Sequence, residues 1–432
     1  MRGKLNSFQK TMLQWNHLHP YNAVHVVRVT GELKVLRLTG IINDCLKQSG
    51  STHLSLDLRR QTFDYGGGDG QLRVRIVTAE NNPRATLTAE VERQLNSAFE
   101  LTGDFNPFRF FVVPETATFQ LGLVYFHAVA DAESIVVLLK QIITAYTEDG
   151  VREPTEPMEL YPRSHDNLLR HQPRALARRL LTLPTQARDL RRSMRTPVSD
   201  PEDMKVGLRL FALSREELRA LVGTAKAWQI TVNDLLLAML LKALTPLAGD
   251  RSRAGRRNSL SLGCIVNIRK DLGVDRHRTF GLFLGSFMVT HTAPDGISLP
   301  QLAADLRDQT QAIKRHRLYL ATPWELAIAR RLLAFFSPAL RKKFYQKNYP
   351  LWGGITNMNL NVIWSEDGTA PTPDYFRAVS TGPVTLLVLS ISTAGDHANV
   401  ALSYRTAVFP TSAIEQIKSS LLATLAQLPC GT

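Results

Sequence analysis

The stretch Thr118-Phe119-Gln120-Leu121-Gly122-Leu123-Val124-Tyr125-Phe126-His127-Ala128-Val129-Ala130-Asp131-Ala132 holds the residue types best suited to chemistry. It reads as an apolar strand that ends on a histidine, turns through small or β-branched residues, and enters a helix at an aspartate. A histidine at a strand end, with a carboxylate four residues on to fix the turn, suits a general base. Spacing alone does not single it out, because His-x-x-x-Asp occurs three times: His53 with Asp57, His127 with Asp131, and His291 with Asp295. His53 leads a Leu-Ser-Leu-Asp-Leu run that alternates like an ordinary half-exposed strand. His291 leads into Thr292-Ala293-Pro294-Asp295-Gly296, a turn signal. Only His127 is followed by a strong amphipathic helix, with Ile135, Leu138, Leu139, Ile142 and Tyr146 on its buried side. Asp131 stands at the start of that helix, where a carboxylate caps free N–H groups and meets the positive end of the dipole. The segment by itself leaves two readings open: a base held by its aspartate, or a helix cap beside a satisfied turn histidine.

The elements that must position these residues alternate along the chain. Strands are expected at 22–28, 71–78, 109–113, 120–126, 206–213, 259–266, 283–290, 360–364, 384–393 and 398–404. Helices are expected at 7–15, 33–47, 88–100, 133–146, 215–227, 231–244, 299–314, 323–333 and 411–427. Such alternation predicts an α/β protein. Composition changes at 154–201, which is rich in Pro and Arg and poor in β-branched residues. The expected division is an N-terminal lobe at 1–170 carrying His127 and Asp131, a basic linker at 171–204, and a C-terminal lobe at 205–432. Gly66-Gly67-Gly68-Asp69-Gly70 lacks the Lys-Ser or Lys-Thr of a phosphate loop and opens into a strand, so it reads as a turn. With no His-Glu-x-x-His pair, Gly-x-Ser-x-Gly elbow or dinucleotide fingerprint, neither a metal nor a nicotinamide is expected.

The chain has 432 residues, 44% hydrophobic and 21% charged, a globular composition too long for one core. No run of 18 apolar residues suggests a membrane span, and the first residues lack the apolar core of a secretory signal, so a cytoplasmic location is expected. Cys45, Cys264 and Cys430 are isolated and odd in number, which fits a reducing compartment. The net charge of +14 favours an anionic partner. Much of it falls at 170–195, where Arg170, Arg174, Arg178, Arg179, Arg188, Arg191, Arg192 and Arg195 sit among leucines and alanines. This reads as a basic amphipathic helix interrupted at Pro184. Smaller basic groups lie at 251–257, 314–317 and 341–343. The plain reading of each is a solvated surface. The functional one is a docking face for an acidic acyl carrier protein, coenzyme A or anionic lipid headgroups, the last a peripheral membrane contact. No nucleic acid is expected, since no recognition motif accompanies the charge.

Several segments, in order, resemble the acyltransferases of the chloramphenicol acetyltransferase fold. That superfamily includes peptide-synthetase condensation domains, polyketide-associated acyltransferases, and the wax ester synthase and diacylglycerol acyltransferase group. The resemblance starts at Leu5-Asn6-Ser7-Phe8-Gln9 and at Pro20-Tyr21-Asn22-Ala23. Against the family motif His-His-x-x-x-Asp-Gly the chain has Phe126-His127-Ala128-Val129-Ala130-Asp131-Ala132, keeping the second histidine and the aspartate. Thr231-Val232-Asn233-Asp234-Leu235-Leu236-Leu237-Ala238 looks like a helix start common in the condensation and wax ester groups. Cys264-Ile265-Val266-Asn267-Ile268-Arg269 resembles the strand whose arginine pairs with the motif aspartate, and Gly353-Gly354-Ile355-Thr356-Asn357-Met358-Asn359 a second-lobe strand lining the active-site tunnel.

The resemblance implies a two-lobed, condensation-domain-like α/β fold with a tunnel between the lobes and His127 at its centre. It implies a stand-alone acyltransferase that moves an acyl group from a carrier-protein or CoA thioester to a hydroxyl or amine, with His127 as general base. Asp131 would pair with Arg269 to hold the turn. Asn357 or Thr356 would, by position, donate to the oxyanion. No tightly bound cofactor is expected, the CoA or phosphopantetheine thioester being the donor substrate. The substitutions Phe126 and Ala132 keep a second expectation alive, a non-catalytic carrier- or acyl-binding module of the same fold.

Overall fold

The computed structural model describes residues 1–79, 82–147, 158–166, 168, 172–249, 257–337, 340, 344–345, 348, 350–364 and 372–429. The basic groups at 251–256 and 341–343, Arg170 and Cys430 lie outside these residues.

The β-rich segments assemble into two principal sheets. The first has the order Tyr375–Val379, Asn22–Thr30, Thr118–Phe126, Phe108–Pro114, Val74–Ile76, antiparallel except for the last pair. Its central strands read as continuous apolar runs because both faces are covered: Val24, Val26, Val27, Leu121, Leu123 and Val124 are all buried. Helices Val35–Gln48, Pro83–Leu95 and Ala132–Thr147 belong to this core. The second sheet has the order Val206–Leu213, His397–Arg405, Leu387–Ala394, Leu351–Asn359, Leu260–Asn267, Leu284–His291. Here Leu351–Asn359 runs parallel to both neighbours and the other pairs are antiparallel. Helix Val232–Leu244 is the most apolar of those packed on it. Thr231 and Asp234 form a capping box at its start, and the buried Asp234 also accepts from Thr310 Oγ1 at 2.7 Å. Among the described residues, no single helix is long and apolar enough to cross a membrane.

Two connections stitch the lobes together. Thr279–Phe280, from the second half of the chain, pairs in parallel with Glu159–Leu160. Tyr375–Val379 forms the edge of the first sheet although its sequence belongs to the second half, and it cuts across a partition at residue 205. That strand was not among the expected ones. The expected strand at 360–364 is instead the short helix Asn361–Trp364, preceded by strand Leu351–Asn359. Leu360, Ile363 and Trp364, the buried residues there, stand at i, i+3 and i+4, a helical spacing.

The segment expected as a linker carries a continuous helix, Pro173–Arg192, that runs through Pro184. Proline removes one bond to the carbonyl of Leu180, an exposed residue whose oxygen water can satisfy. Ala175 of this helix packs with Ile268, Phe283, Leu320 and Ala321, and buried Arg179 pairs with Glu325. Arg174, Arg178, Arg188, Arg191 and Arg195 remain exposed.

Candidate active site

Strand Thr118–Phe126 ends where Phe126 pairs with Asn22, and the next N–H, that of His127, donates to Tyr21 O at 3.2 Å. The turn is closed by Val129 N donating to Phe126 O at 3.0 Å, and Asp131 N donates to Gly281 O at 2.9 Å. His127 Nδ1 lies 3.2 Å from Ala130 O. A carbonyl oxygen only accepts, so Nδ1 carries the hydrogen and Nε2 keeps its lone pair. The ring stacks on Tyr21 (5.5 Å between centroids, 19°) and meets the edge of Tyr125 (5.5 Å, 84°). Enclosure by these groups pushes its pKa down to about 4, so the imidazole is neutral at neutral pH.

Asp131 is 2% exposed and accepts from three donors: Ser134 N at 3.0 Å, Phe283 N at 3.1 Å, and Arg269 Nη1 at 2.5 Å. The cap and the ion pair are therefore made by one carboxylate. Arg269 is equally buried, donates Nη2 to Ser134 Oγ at 2.7 Å, and lies 4.4 Å over the centre of the Phe283 ring. Glu133 adds a second carboxylate 3.7 Å from Arg269; burial raises its pKa, and Arg276 Nε forms an ion pair with it at 2.8 Å. The His127 turn of one lobe is thus gripped by the 268–283 segment of the other.

The two departures from the family motif have clear structural settings. Phe126 is fully buried against Phe99 and Phe105, each with a centroid 6.1 Å away, and fills space without a polar group to satisfy. Ala132 is the first residue of helix Ala132–Thr147 and is absent from the positions with positive φ, so no glycine is needed there.

His127 lines a cavity of about 300 Å³ between the two sheets. Thr356 reaches the same cavity, whereas Asn357 does not: it is exposed and lies outside the lining. Gly354, Ile355 and Thr356 reach the cavity in succession and the lining ends there, so Asn357, at the exposed end of strand Leu351–Asn359, is not placed to donate into it. The other two His-x-x-x-Asp histidines are remote from the cavity. His53 meets Asp104 at 2.9 Å on the surface, and His291 meets Asp305 at 3.3 Å.

Beside His127 the structure places groups that sequence reasoning missed. His25 is 1% exposed, with Nδ1 2.6 Å from Tyr375 Oη and Nε2 3.5 Å from Tyr125 Oη. Burial holds this imidazole well below, and Tyr125 well above, the ordinary range, so both are neutral. The signal for His25 was present: it is the only polar residue between Asn22 and Arg28 in a strand apolar on both faces. Arg377, from the unexpected edge strand, donates Nη2 to Thr356 Oγ1 at 2.9 Å.

The condensation-domain family matches residues 3–429, and the chain belongs to that family, within the chloramphenicol acetyltransferase-like superfamily. Members form amide or ester bonds between carrier-bound substrates. The fold is similar to the first condensation domain of the calcium-dependent antibiotic synthetase in complex with a substrate analogue (14% identity, TM-score 0.71, covering 100% of this chain and 98% of that one). It is similar also to the EpoB cyclization-docking bidomain from Sorangium cellulosum (13%, 0.69, 100% and 86%). A third similar structure is the X-domain from teicoplanin biosynthesis (17%, 0.60, 99% and 96%). No curated protein matches the chain at a significant level. The two α/β lobes with a cavity between them are the architecture of this superfamily.

Proposed function

We propose that this protein transfers an acyl group from a carrier-protein or coenzyme A thioester to a hydroxyl or amine acceptor, with His127 as general base. The observation that carries this reading is the state of His127: Nδ1 is committed to Ala130 O, which leaves a neutral ring with its Nε2 lone pair unspent beside the cavity. Nε2 takes the acceptor's proton as its oxygen or nitrogen attacks the thioester carbonyl. The tetrahedral oxyanion then collapses, the C–S bond breaks, and the leaving thiolate takes the proton from the imidazolium. Thr356 is the donor best placed for the oxyanion, because Arg377 occupies a lone pair on its oxygen and leaves its hydroxyl hydrogen to give. Asp131 and Arg269 are positioning residues. The thioester arrives as substrate, so the scheme calls for no resident cofactor. The exposed arginines of helix Pro173–Arg192 supply a basic face suited to an acidic carrier.

The test is thiol release from acyl-carrier and acyl-CoA thioesters in the presence of amine and hydroxyl acceptors. His127→Ala is expected to lose about 10²- to 10⁴-fold in turnover with an unchanged melting temperature. Wild-type rates in that variant would remove the mechanism. Carrier binding without turnover in the wild type would favour the non-catalytic module that Phe126 and Ala132 leave in play.

A further inference from the structure

Strand Tyr375–Val379 brings to the cavity a charge that proton transfer does not use. Arg377 lines the cavity and is 8% exposed. Among the described residues its hydrogen-bond partner is Thr356, no carboxylate pairs with it, and its Nε is buried without a partner. The groups around it are uncharged. His25, its register partner, and His127 are held neutral by burial, and so are Tyr125 and Tyr375. The Arg377 charge therefore stands uncompensated among neutral neighbours at its part of the cavity wall, an expensive arrangement unless an anion arrives to meet it.

A second group points the same way. Ser390 stands opposite Thr356 on the adjacent parallel strand, lines the cavity, is 1% exposed, and has a buried Oγ without a partner. Paired residues on adjacent strands project to the same face, so Ser390 stands beside Thr356 and Arg377; Thr356 gives its one hydrogen to the oxyanion, which leaves Arg377 and Ser390 as the donor cluster. We propose that this cluster is an anion subsite that takes a carboxylate carried by the acceptor substrate. A single positive charge calls for a single negative one, and the planar donor fork of arginine matches a carboxylate. The donor's reacting carboxyl is tied up as a thioester and carries no charge, so the carboxylate belongs to an acceptor that arrives untethered, in contrast to the carrier-bound substrates of the family. The acceptor class is then an amino or hydroxy acid with its carboxylate free. Assignment to the acceptor rests on the acyl-transfer reading; the subsite itself does not.

The experiment is calorimetric titration of hexanoate, hexanamide and inorganic phosphate into the wild type, Arg377→Gln, Arg377→Lys, Ser390→Ala and His127→Ala. Hexanoate is expected to bind the wild type at least tenfold more tightly than hexanamide or phosphate. Arg377→Gln should abolish that preference, Arg377→Lys should keep part of it, Ser390→Ala should weaken hexanoate several-fold, and His127→Ala should leave the preference intact. A wild type indifferent to the charge, one that prefers phosphate, or a folded Arg377→Gln that still selects hexanoate would overturn the proposal. Should Arg377→Gln not fold, the wild-type comparison and Ser390→Ala decide. In turnover, Arg377→Gln should raise KM for phenylalanine but not for phenylalaninamide; an equal fall in kcat for both would instead make Arg377 an oxyanion group and overturn the assignment. Selective hexanoate binding by a wild type that turns over no acceptor would defeat the acyl-transfer reading while sustaining the subsite.

Discussion

His127 and Asp131 are four residues apart but are tuned in opposite senses. The imidazole is kept neutral by enclosure, while the carboxylate is met by three donors, one of them charged. Removing Arg269 strands the Asp131 charge, so Arg269→Met should destabilise by about 3 to 5 kcal/mol, whereas Asp131→Asn, which leaves Arg269 with Glu133 3.7 Å away, should cost less. The double variant should lose less than the sum, because no unpaired charge remains. Urea unfolding of the four proteins measures this, and single variants within error of the wild type would show that the pair does not hold the turn. At this scale the chain was legible where the chemistry lies in one local segment, as for His127 and Asp131, and where a family resemblance supplied the distant partner Arg269. It was silent on Arg377, whose place beside His25 is created only by strand pairing. Thr356 and Asn357 were indistinguishable in sequence because nothing local says how far along strand Leu351–Asn359 the cavity extends.

At the scale of elements, the strand that delivers His127 is held close to its neighbour by a missing side chain. Gly122 lies beneath the ring of buried Phe111, and a Cβ there would come within 2.1 Å of it. The second sheet repeats the device with Gly207 beneath Tyr404, at 2.5 Å. Gly122→Ala should therefore force the Phe111 ring aside and cost about 1 to 3 kcal/mol by overpacking. A melting temperature equal to the wild type would show that the ring gives way freely. Long periodic segments such as 215–227 and 231–244 were readable directly. The errors came where a short apolar run fits either period, as at 360–364, and where a proline on an exposed helix face, Pro184, breaks less than its reputation suggests.

For the whole molecule, several buried histidines share one acid liability. His25, His127 and His165 all titrate below the ordinary imidazole value because burial disfavours their charged forms. The unfolded chain takes up protons below about pH 6.5 that the folded one refuses until about pH 4 at His127 and His165, so stability falls as pH falls through that window. Each group contributes a limiting slope of about 1.4 kcal/mol per pH unit. Thermal melting from pH 7 to pH 5 should show a steep decline, and His165→Phe should soften it, since both ring nitrogens of His165 are buried without partners and the ring stacks on Phe283. A flat profile would contradict this account. Two lobes were foreseeable from length and element alternation, but their interlocking was not, because no local pattern says which sheet a strand will join. That interlocking has a consequence for synthesis. The edge of the first sheet waits for Tyr375–Val379 to leave the ribosome, so until then the row of hydrogen-bonding groups on Asn22–Thr30 has no mate, and the nascent chain must shield it by other means.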